Sequence, residues 1–214
     1  MRLRPLRPSE QTPGQRAVAE AIVQGPRGAR PGIRLLADDG SLRGPFDAML
    51  RNPAVGLPLQ AVGAALRFDT ALRGDLREFV ILLVAVRWQC EFEWLEHEPI
   101  ARAVGVPEHV LASLSSTAAG GERRELDDEY AAIATFVGEL FPEGRVGDVT
   151  YERLRELIGE AQVFEVVALA GYYSTLAMIL NALGTTAEPV PETVTAPQWS
   201  TGPQSATRTT VAPA

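Results

Sequence analysis

The sequence predicts an all-helical protein with one domain. Apolar residues recur every three or four positions through most of the chain, and no segment shows the alternation expected of a strand. Two cap-plus-proline pairs, Thr12-Pro13 and Asn52-Pro53, are typical of helix N-termini. A length of 214 residues is enough for one domain with appendages.

Caps and glycines set the predicted boundaries in the first half of the chain. The Thr12 cap begins a helix that runs to residue 23, and the Gly-, Arg- and Asp-rich residues 25–44 form a loop with a short extended piece at 33–36. Residues 45–50 are a short helix. The Asn52 cap begins another helix, which runs to about residue 68.

The second half begins with the most apolar helix, residues 76–88, for which Asp75 is the predicted cap. The next helix, 90–104, ends at Gly105, and Pro99 is expected to kink or split it. A small-residue loop is predicted at 115–121. The remaining helices are predicted at residues 108–114, 126–140, 151–158 and 160–183.

Both ends of the chain have compositions typical of disorder. Residues 1–11 are rich in Pro and Arg and are predicted to be a disordered leader. Residues 185–214, dominated by Thr, Pro, Ala and Ser, are predicted to be a disordered tail. The helical domain therefore spans residues 12–184.

Composition excludes several classes of function. All 20 basic side chains are Arg, they are scattered, and the net charge is −7, so no basic face for nucleic acid is expected. The single cysteine, Cys90, excludes an internal disulfide framework and fits a reducing, cytoplasmic location. With only two histidines, neither a metal site nor another cofactor is predicted.

The N-terminus lacks the apolar run of a signal peptide. Residues 163–183 are long enough to span a membrane, but they carry Glu165, Tyr172, Tyr173 and Asn181. We therefore expect a helix buried in a core or a subunit interface, and no membrane partner.

The chemically dense segment spans residues 77–97. Cys90, Glu93 and His97 stand at i, i+3 and i+7, so on one helix they share a face and can exchange protons. Glu93 can orient the imidazole and raise its basicity. Glu78 would lie ~120° away on an unbroken helix. It joins the group only if the helix breaks near residues 88–89, or if a neighbouring helix or subunit brings the faces together.

This pattern of Glu78, Cys90, Glu93 and His97 resembles the carboxymuconolactone decarboxylase and alkylhydroperoxidase D-like superfamily, over roughly residues 43–184. The resemblance implies an orthogonal helical bundle that forms homo-oligomers, as trimers or hexamers and in some cases dimers. The peroxidase branch uses a Cys-x-x-Cys pair. This chain has Glu93 at the second position, as the decarboxylase branch commonly does.

Five other residues are candidate substrate contacts. Arg77 and Arg87 flank the apolar helix, and either could bind a carboxylate through two hydrogen bonds. Trp94 lies beside the reactive triplet, and Tyr172 or Tyr173 could present a hydroxyl.

Three functional hypotheses follow. The first is a cofactor-independent lyase or isomerase on a small acidic, lactone-like or enolisable substrate, with His97 as general acid or base, Glu93 orienting it and Glu78 moving a proton or holding substrate. The second is a peroxidase or thiol sensor that uses Cys90 alone. The third is a non-catalytic oligomeric binding protein.

Overall fold

The computed structural model of the protein describes residues 2–29, 34–121, 125–184 and 196–199. These residues form helices and one isolated antiparallel bridge, between Leu36 and Leu42, so the all-helical prediction is confirmed. A 3-10 turn at Pro8–Glu10 precedes the first helix. The helices are α1 Pro13–Val23, α2 Pro45–Met49, α3 Pro53–Phe68, α4 Gly74–Trp88, α5 Glu91–Ala103, α6 Glu108–Ala118, α7 Asp128–Glu143, α8 Asp148–Ile158 and α9 Glu160–Leu183.

The two cap-plus-proline predictions are confirmed. The Thr12 hydroxyl accepts from the Gln15 backbone N–H, and the Gln15 side chain accepts from the Thr12 N–H at 2.9 Å, which completes a capping box. The side-chain oxygen Oδ1 of Asn52 accepts from the Ala54 N–H at 3.2 Å. These caps are local, so a single sequence is enough to find them.

Several boundaries differ from the prediction, and α7 and α8, predicted at 126–140 and 151–158, are Asp128–Glu143 and Asp148–Ile158. The cap of α4 is Arg73, and Asp75 lies inside the first turn, where it pairs with Arg73 and accepts from the Tyr130 hydroxyl. Residues 115–118 continue α6 because Ala118 is buried against the core. Pro99 lies inside α5 without ending it.

Helix α4 is the centre of the core. Its residues Phe79, Val80, Ile81 and Leu82 are fully buried, and the helix packs mainly against α9 and α5. Burying such side chains stabilises the fold by about 1.5–3 kcal/mol each. A carboxylate on this helix is therefore surrounded by apolar neighbours and needs partners of its own.

The N-terminal segment follows a defined path over the helices. The Leu6 N–H donates to Asp47 at 2.8 Å, and the Arg2 N–H donates to the Leu183 carbonyl oxygen at 3.1 Å. Composition does not detect such backbone contacts. Of the predicted tail, residues 185–195 and 200–214 lie outside the described residues. Trp199 packs edge-on against Trp94, with ring centroids 6.4 Å apart. The division into leader, domain and tail stays a prediction.

Within the described residues, α9 is long and apolar enough to cross a membrane, and 56% of its most apolar window is buried inside the protein. A helix in the core of a folded domain can have the same length and the same apolar composition. The burial of Val166, Leu169 and Ala170 against the rest of the fold fits that reading.

Candidate functional site

A left-handed residue between two helices brings the reactive side chains together. Gln89 has φ 48° and ψ 45°, which ends α4 and reverses the chain before α5 begins. The sequence left open whether Glu78 and His97 meet. This break sets them face to face within one chain, because α4 and α5 then pack side by side.

Glu78 is the most buried member of the site. It is fully inaccessible, and its Oε2 lies 2.7 Å from His97 Nδ1 while its Oε1 lies 3.2 Å from Arg67 Nη2. Burial alone would raise the pKa of Glu78, but His97 and Arg67 outweigh it and hold the pKa below its usual value. Glu78 is therefore a carboxylate at neutral pH.

An ionised carboxylate can only accept, so His97 Nδ1 carries the proton of this 2.7 Å hydrogen bond. Arg67 Nη1 lies 3.3 Å from the same nitrogen, and because the shorter contact with Glu78 uses the Nδ1 proton, this longer contact is not a hydrogen bond to the ring. Burial lowers the pKa of the imidazole, although Glu78 opposes the effect, so the ring is neutral at pH 7. The lone pair is then on Nε2. Glu78 both orients the ring and selects its tautomer, whereas the sequence prediction gave the orienting role to Glu93.

Glu93 faces the other side of the imidazole. It lies one turn before His97 on α5, and its Oε2 is 3.5 Å from Nε2. Burial raises the pKa of Glu93 to about 8, and the nearby Glu96 and Glu78 add to the rise while Arg67 opposes it. Glu93 is therefore a carboxylic acid at neutral pH, and its Oε2 faces the basic nitrogen of His97.

Tyr173 closes the site from α9. Its ring packs edge-on against His97 with centroids 5.1 Å apart, and its hydroxyl accepts from Arg67 Nη1 at 3.0 Å. Burial raises the pKa of Tyr173 to about 12, so the phenol stays protonated. None of the described residues accepts the Tyr173 hydroxyl proton, which is therefore available to a substrate oxygen.

Arg67 is the residue that the sequence analysis missed. It is 6% exposed, lies on α3 and contacts both Glu78 and Tyr173. One signal could have found it, since Arg67 is the single charged side chain of a 16-residue apolar helix. A charge buried in such a helix needs a partner, and Glu78 is the partner.

Cys90 does not share the helical face predicted for it. It is the N-cap of α5 with extended backbone, and its side chain packs against Ala177 and Leu180 of α9. Burial and the neighbouring Glu93 raise the pKa of the thiol to about 12, although backbone N–H groups of Glu93 and Phe92 oppose the rise. The predicted stripe is therefore reduced to Glu93 and His97.

The remaining predicted substrate contacts lie in different surroundings. Arg77 is buried beside the Leu72 carbonyl oxygen, and Arg87 lies over the ring of Trp88 near the surface. Trp94 is buried in the core. Tyr172 packs edge-on against Tyr173 with ring centroids 5.4 Å apart. Both tyrosines that the sequence suggested as hydroxyl donors therefore lie near the site.

Among the described residues, no group of three His, Cys, Asp or Glu side chains is arranged to hold a metal ion. Glu78 and Glu93 lie close together, but they face opposite nitrogens of His97. Their oxygens therefore do not converge on one point.

Comparison with known proteins identifies the fold. No family model and no curated protein sequence matches the chain. A peroxidase-related protein from Ralstonia eutropha JMP134, described as an alkylhydroperoxidase AhpD core, has a TM-score of 0.65 at 15% identity over 87% of this chain and 92% of its own. The debrominase Bmp8 has a TM-score of 0.62 at 16% identity over 88% and 93%.

A second peroxidase-related protein, from Silicibacter sp. TM1040, has a TM-score of 0.56 at 13% identity over 66% of this chain and 74% of its own. At these identities the likeness concerns the fold. The chain therefore has the alkylhydroperoxidase D-like helical fold, as the sequence resemblance implied.

Proposed function

We propose that this protein, which has the alkylhydroperoxidase D-like fold, is a cofactor-independent lyase or isomerase that transfers a proton on a small, acidic, lactone-like or enolisable substrate. The fold alone does not select a reaction, because a debrominase and peroxidase-related proteins share it. The side chains of the site therefore determine which reaction is possible.

The observation that carries the proposal is the buried series Glu78, His97 and Glu93. Glu78 holds Nδ1 at 2.7 Å, and Nε2 faces Glu93 at 3.5 Å. A neutral base and a neutral acid with a pKa near 8 are thus adjacent at physiological pH. General acid and base catalysis is most effective when the pKa of the catalytic group is near the working pH.

The site can supply each proton that the reaction needs. In the lyase reaction the carboxyl group leaves as CO2, and the electron pair of the broken C–C bond remains on the substrate as a dienolate. The Glu93 proton, delivered directly or through His97, then bonds to carbon, and water reprotonates Glu93. In the isomerase reaction, His97 Nε2 removes a proton from carbon and Glu93 donates one at a second carbon. The imidazolium then passes its proton to the Glu93 carboxylate, 3.5 Å away, which restores both groups.

Tyr173 and Arg67 support the same chemistry. The Tyr173 hydroxyl accepts from Arg67 and can donate to the oxygen on which negative charge develops. A donor fixed in a buried site stabilises such charge more than water does, because no reorganisation is needed.

The redox alternative has less support from the environment of Cys90. The nucleophile in peroxide reduction is a thiolate, and a thiol with a pKa raised to about 12 is almost fully protonated at neutral pH. Cys90 is also 1% exposed and is the single cysteine of the chain. An oxidised Cys90 would need an external thiol to reduce it.

A deuterium-exchange assay tests the proposal. The protein is incubated in D2O with small lactone acids and β,γ-unsaturated acids, and NMR follows deuterium incorporation and CO2 release. We expect the wild type to label at least one of them. His97→Ala and Glu93→Gln should each lower the rate at least ~10²-fold, since each removes a proton-transfer group.

Cys90→Ser is the matched control, because the serine hydroxyl fits the same position and the thiol has no part in the proposed steps. We expect its rate to remain within a few-fold of the wild type. An inactive Cys90→Ser beside a fully active His97→Ala would assign the site to thiol chemistry and reject the proposal.

A further inference from the structure

A second buried guanidinium lies near the site, and the proton-transfer scheme does not use it. Arg27, in the turn after α1, is 5% exposed. Its Nη1 donates to the backbone carbonyl oxygen of Gln60 at 3.2 Å and to the side-chain oxygen of Gln60 at 3.4 Å. The guanidinium also lies over the ring of Phe46, 5.3 Å from the centroid.

Arg27 has no carboxylate partner among the residues that the structure describes. Two other buried arginines do have carboxylate partners. Arg67 pairs with Glu78, and Arg43 pairs with Glu96. A buried charge is normally paired, because its transfer from water is costly. The position of Arg27 therefore calls for an anion that is not part of the described chain.

A glycine lets the two donors lie side by side. The Tyr172 hydroxyl and Arg27 Nη2 fill the space where a side chain on Gly63 would be, because a Cβ there would lie 2.0 Å from the hydroxyl oxygen and 2.6 Å from Nη2. Both donors therefore pack against the same point of α3. The Tyr172 hydroxyl is buried and has no hydrogen-bond partner among the described atoms. A free phenol proton beside a free guanidinium edge is a donor set suited to a carboxylate.

This donor set is next to the catalytic residues. Gly63 and Arg67 are one turn apart on α3, so they face the same way. The Tyr172 ring packs against the ring of Tyr173, which in turn contacts His97. With Glu93 and His97 neutral, the charges of Arg27, Arg67 and Glu78 leave one positive charge unmatched among these five side chains.

We propose that Arg27 and Tyr172, beside Gly63, form a subsite that binds one carboxylate of a small organic acid and directs the rest of the molecule toward His97 and Glu93. The binding claim stands on these contacts, and the assignment of the ligand as substrate rests on the proposed function. The anion supplies the missing countercharge of Arg27 and accepts the Tyr172 proton.

Maleate, with neutral maleamide as the uncharged control, is the probe. Ligand that binds the folded state raises its melting temperature, so calorimetric melting and titration give the affinity. We expect maleate, but not maleamide, to stabilise the wild type. Arg27→Met should weaken maleate binding ~10-fold or more, and Tyr172→Phe should weaken it a few-fold, as expected for a lost charged and a lost neutral donor.

Arg155→Met is the matched control, because Arg155 is exposed on α8 and pairs with Glu152, and it should bind maleate like the wild type. If Arg27→Met does not fold, Arg27→Lys replaces it, and the loss of the two-pronged contact should still weaken binding. No stabilisation of the wild type, or equal affinity in the Arg27 and Tyr172 variants, would overturn the subsite.

His97→Ala separates the subsite from the proposed function. We expect it to bind maleate normally while losing deuterium exchange. Binding that depends on Arg27 in a protein without any exchange activity would reject the proposed function and keep the subsite. Exchange activity in a protein whose maleate binding does not depend on Arg27 would keep the proposed function and reject the subsite.

Discussion

Burial gives the side chains of the site their protonation states. Arg67 and Glu78 neutralise one another at 3.2 Å, and this pair lets Glu78 remain ionised in the core. The buried Oε1 of Glu93 accepts no hydrogen bond from the described residues, so Glu93 holds a proton instead. Two glutamates about the same ring therefore have opposite roles, because their neighbours differ.

The first prediction concerns Cys90. Because its thiol is buried and its pKa is raised to about 12, we expect slow reaction with a maleimide or disulfide reagent in the folded protein at pH 7.5. The rate should increase by orders of magnitude in denaturant. Labelling of the folded protein as fast as that of a free thiol would contradict the structure at this residue and favour the redox alternative.

At the residue scale, the sequence predicts which groups react better than how they pair. His97, Glu93 and Glu78 were candidates from their spacing and residue types. Their pairing depends on contacts between residues 19 positions apart, as for Glu78 and His97, and 11 apart, as for Arg67 and Glu78. No local pattern encodes such a contact, so the exchange of roles between the two glutamates was not predictable.

At the element scale, the junction of α4 and α5 positions the site. Gln89 is the one non-glycine residue with positive φ among the described residues, and it ends α4 by turning the chain back. Glycine is the usual residue in this conformation. Because no glycine stands at residue 89, the sequence did not show where the helix breaks. The side-chain caps at Thr12 and Asn52 have recognisable residue types, so they were predicted.

The second prediction tests this junction with two replacements of Gln89. Both Gln89→Asn and Gln89→Val remove the glutamine side chain, but Asn tolerates the left-handed region and the β-branched Val does not. We expect Val to lower the free energy of unfolding by about 1 kcal/mol more than Asn does. Denaturant unfolding at pH 7 measures the difference, and equal stabilities would show that the backbone at residue 89 is not left-handed.

The third prediction, at the scale of the whole molecule, concerns the N-terminal segment. Deleting residues 2–11 removes the Leu6 N–H that Asp47 accepts, and Asp47 is 3% exposed. Leaving a buried carboxylate short of a donor costs about 1–3 kcal/mol, so we expect a lower melting temperature. An unchanged melting temperature would support the disordered leader that the composition predicts. A deletion of residues 201–214, also of disorder-prone composition, is the control.

The fourth prediction concerns assembly. The sequence resemblance implies a homo-oligomer, but the apolar residues 79–82 of α4 cannot form its interface because they are fully buried within one chain. The exposed apolar residues of α9 carry the argument instead, and Phe164, at 72% exposure, is the most exposed of them, with Val167 and Met178 on the same helix. We expect a homo-oligomer whose assembly this face supports.

Multi-angle light scattering at micromolar concentration tests this expectation. Phe164→Glu should lower the measured mass, whereas Val149→Glu, an equally drastic change at an exposed residue of α8, should not. A monomeric wild type would reject the prediction.

The proposed reaction depends most on the proton that Glu93 holds beside His97. Carbon-13 NMR of protein labelled at the glutamate carboxyl carbons measures it without a substrate, by comparing wild type with Glu93→Gln from pH 4 to pH 9. We expect one resonance, missing in Glu93→Gln, that stays in the protonated form at neutral pH and titrates near pH 8. The capacity of Glu93 to donate a proton should fall as pH rises through that value. If the resonance assigned to Glu93 is already ionised at pH 6, the acid that the proposed reaction needs is absent and the account is wrong.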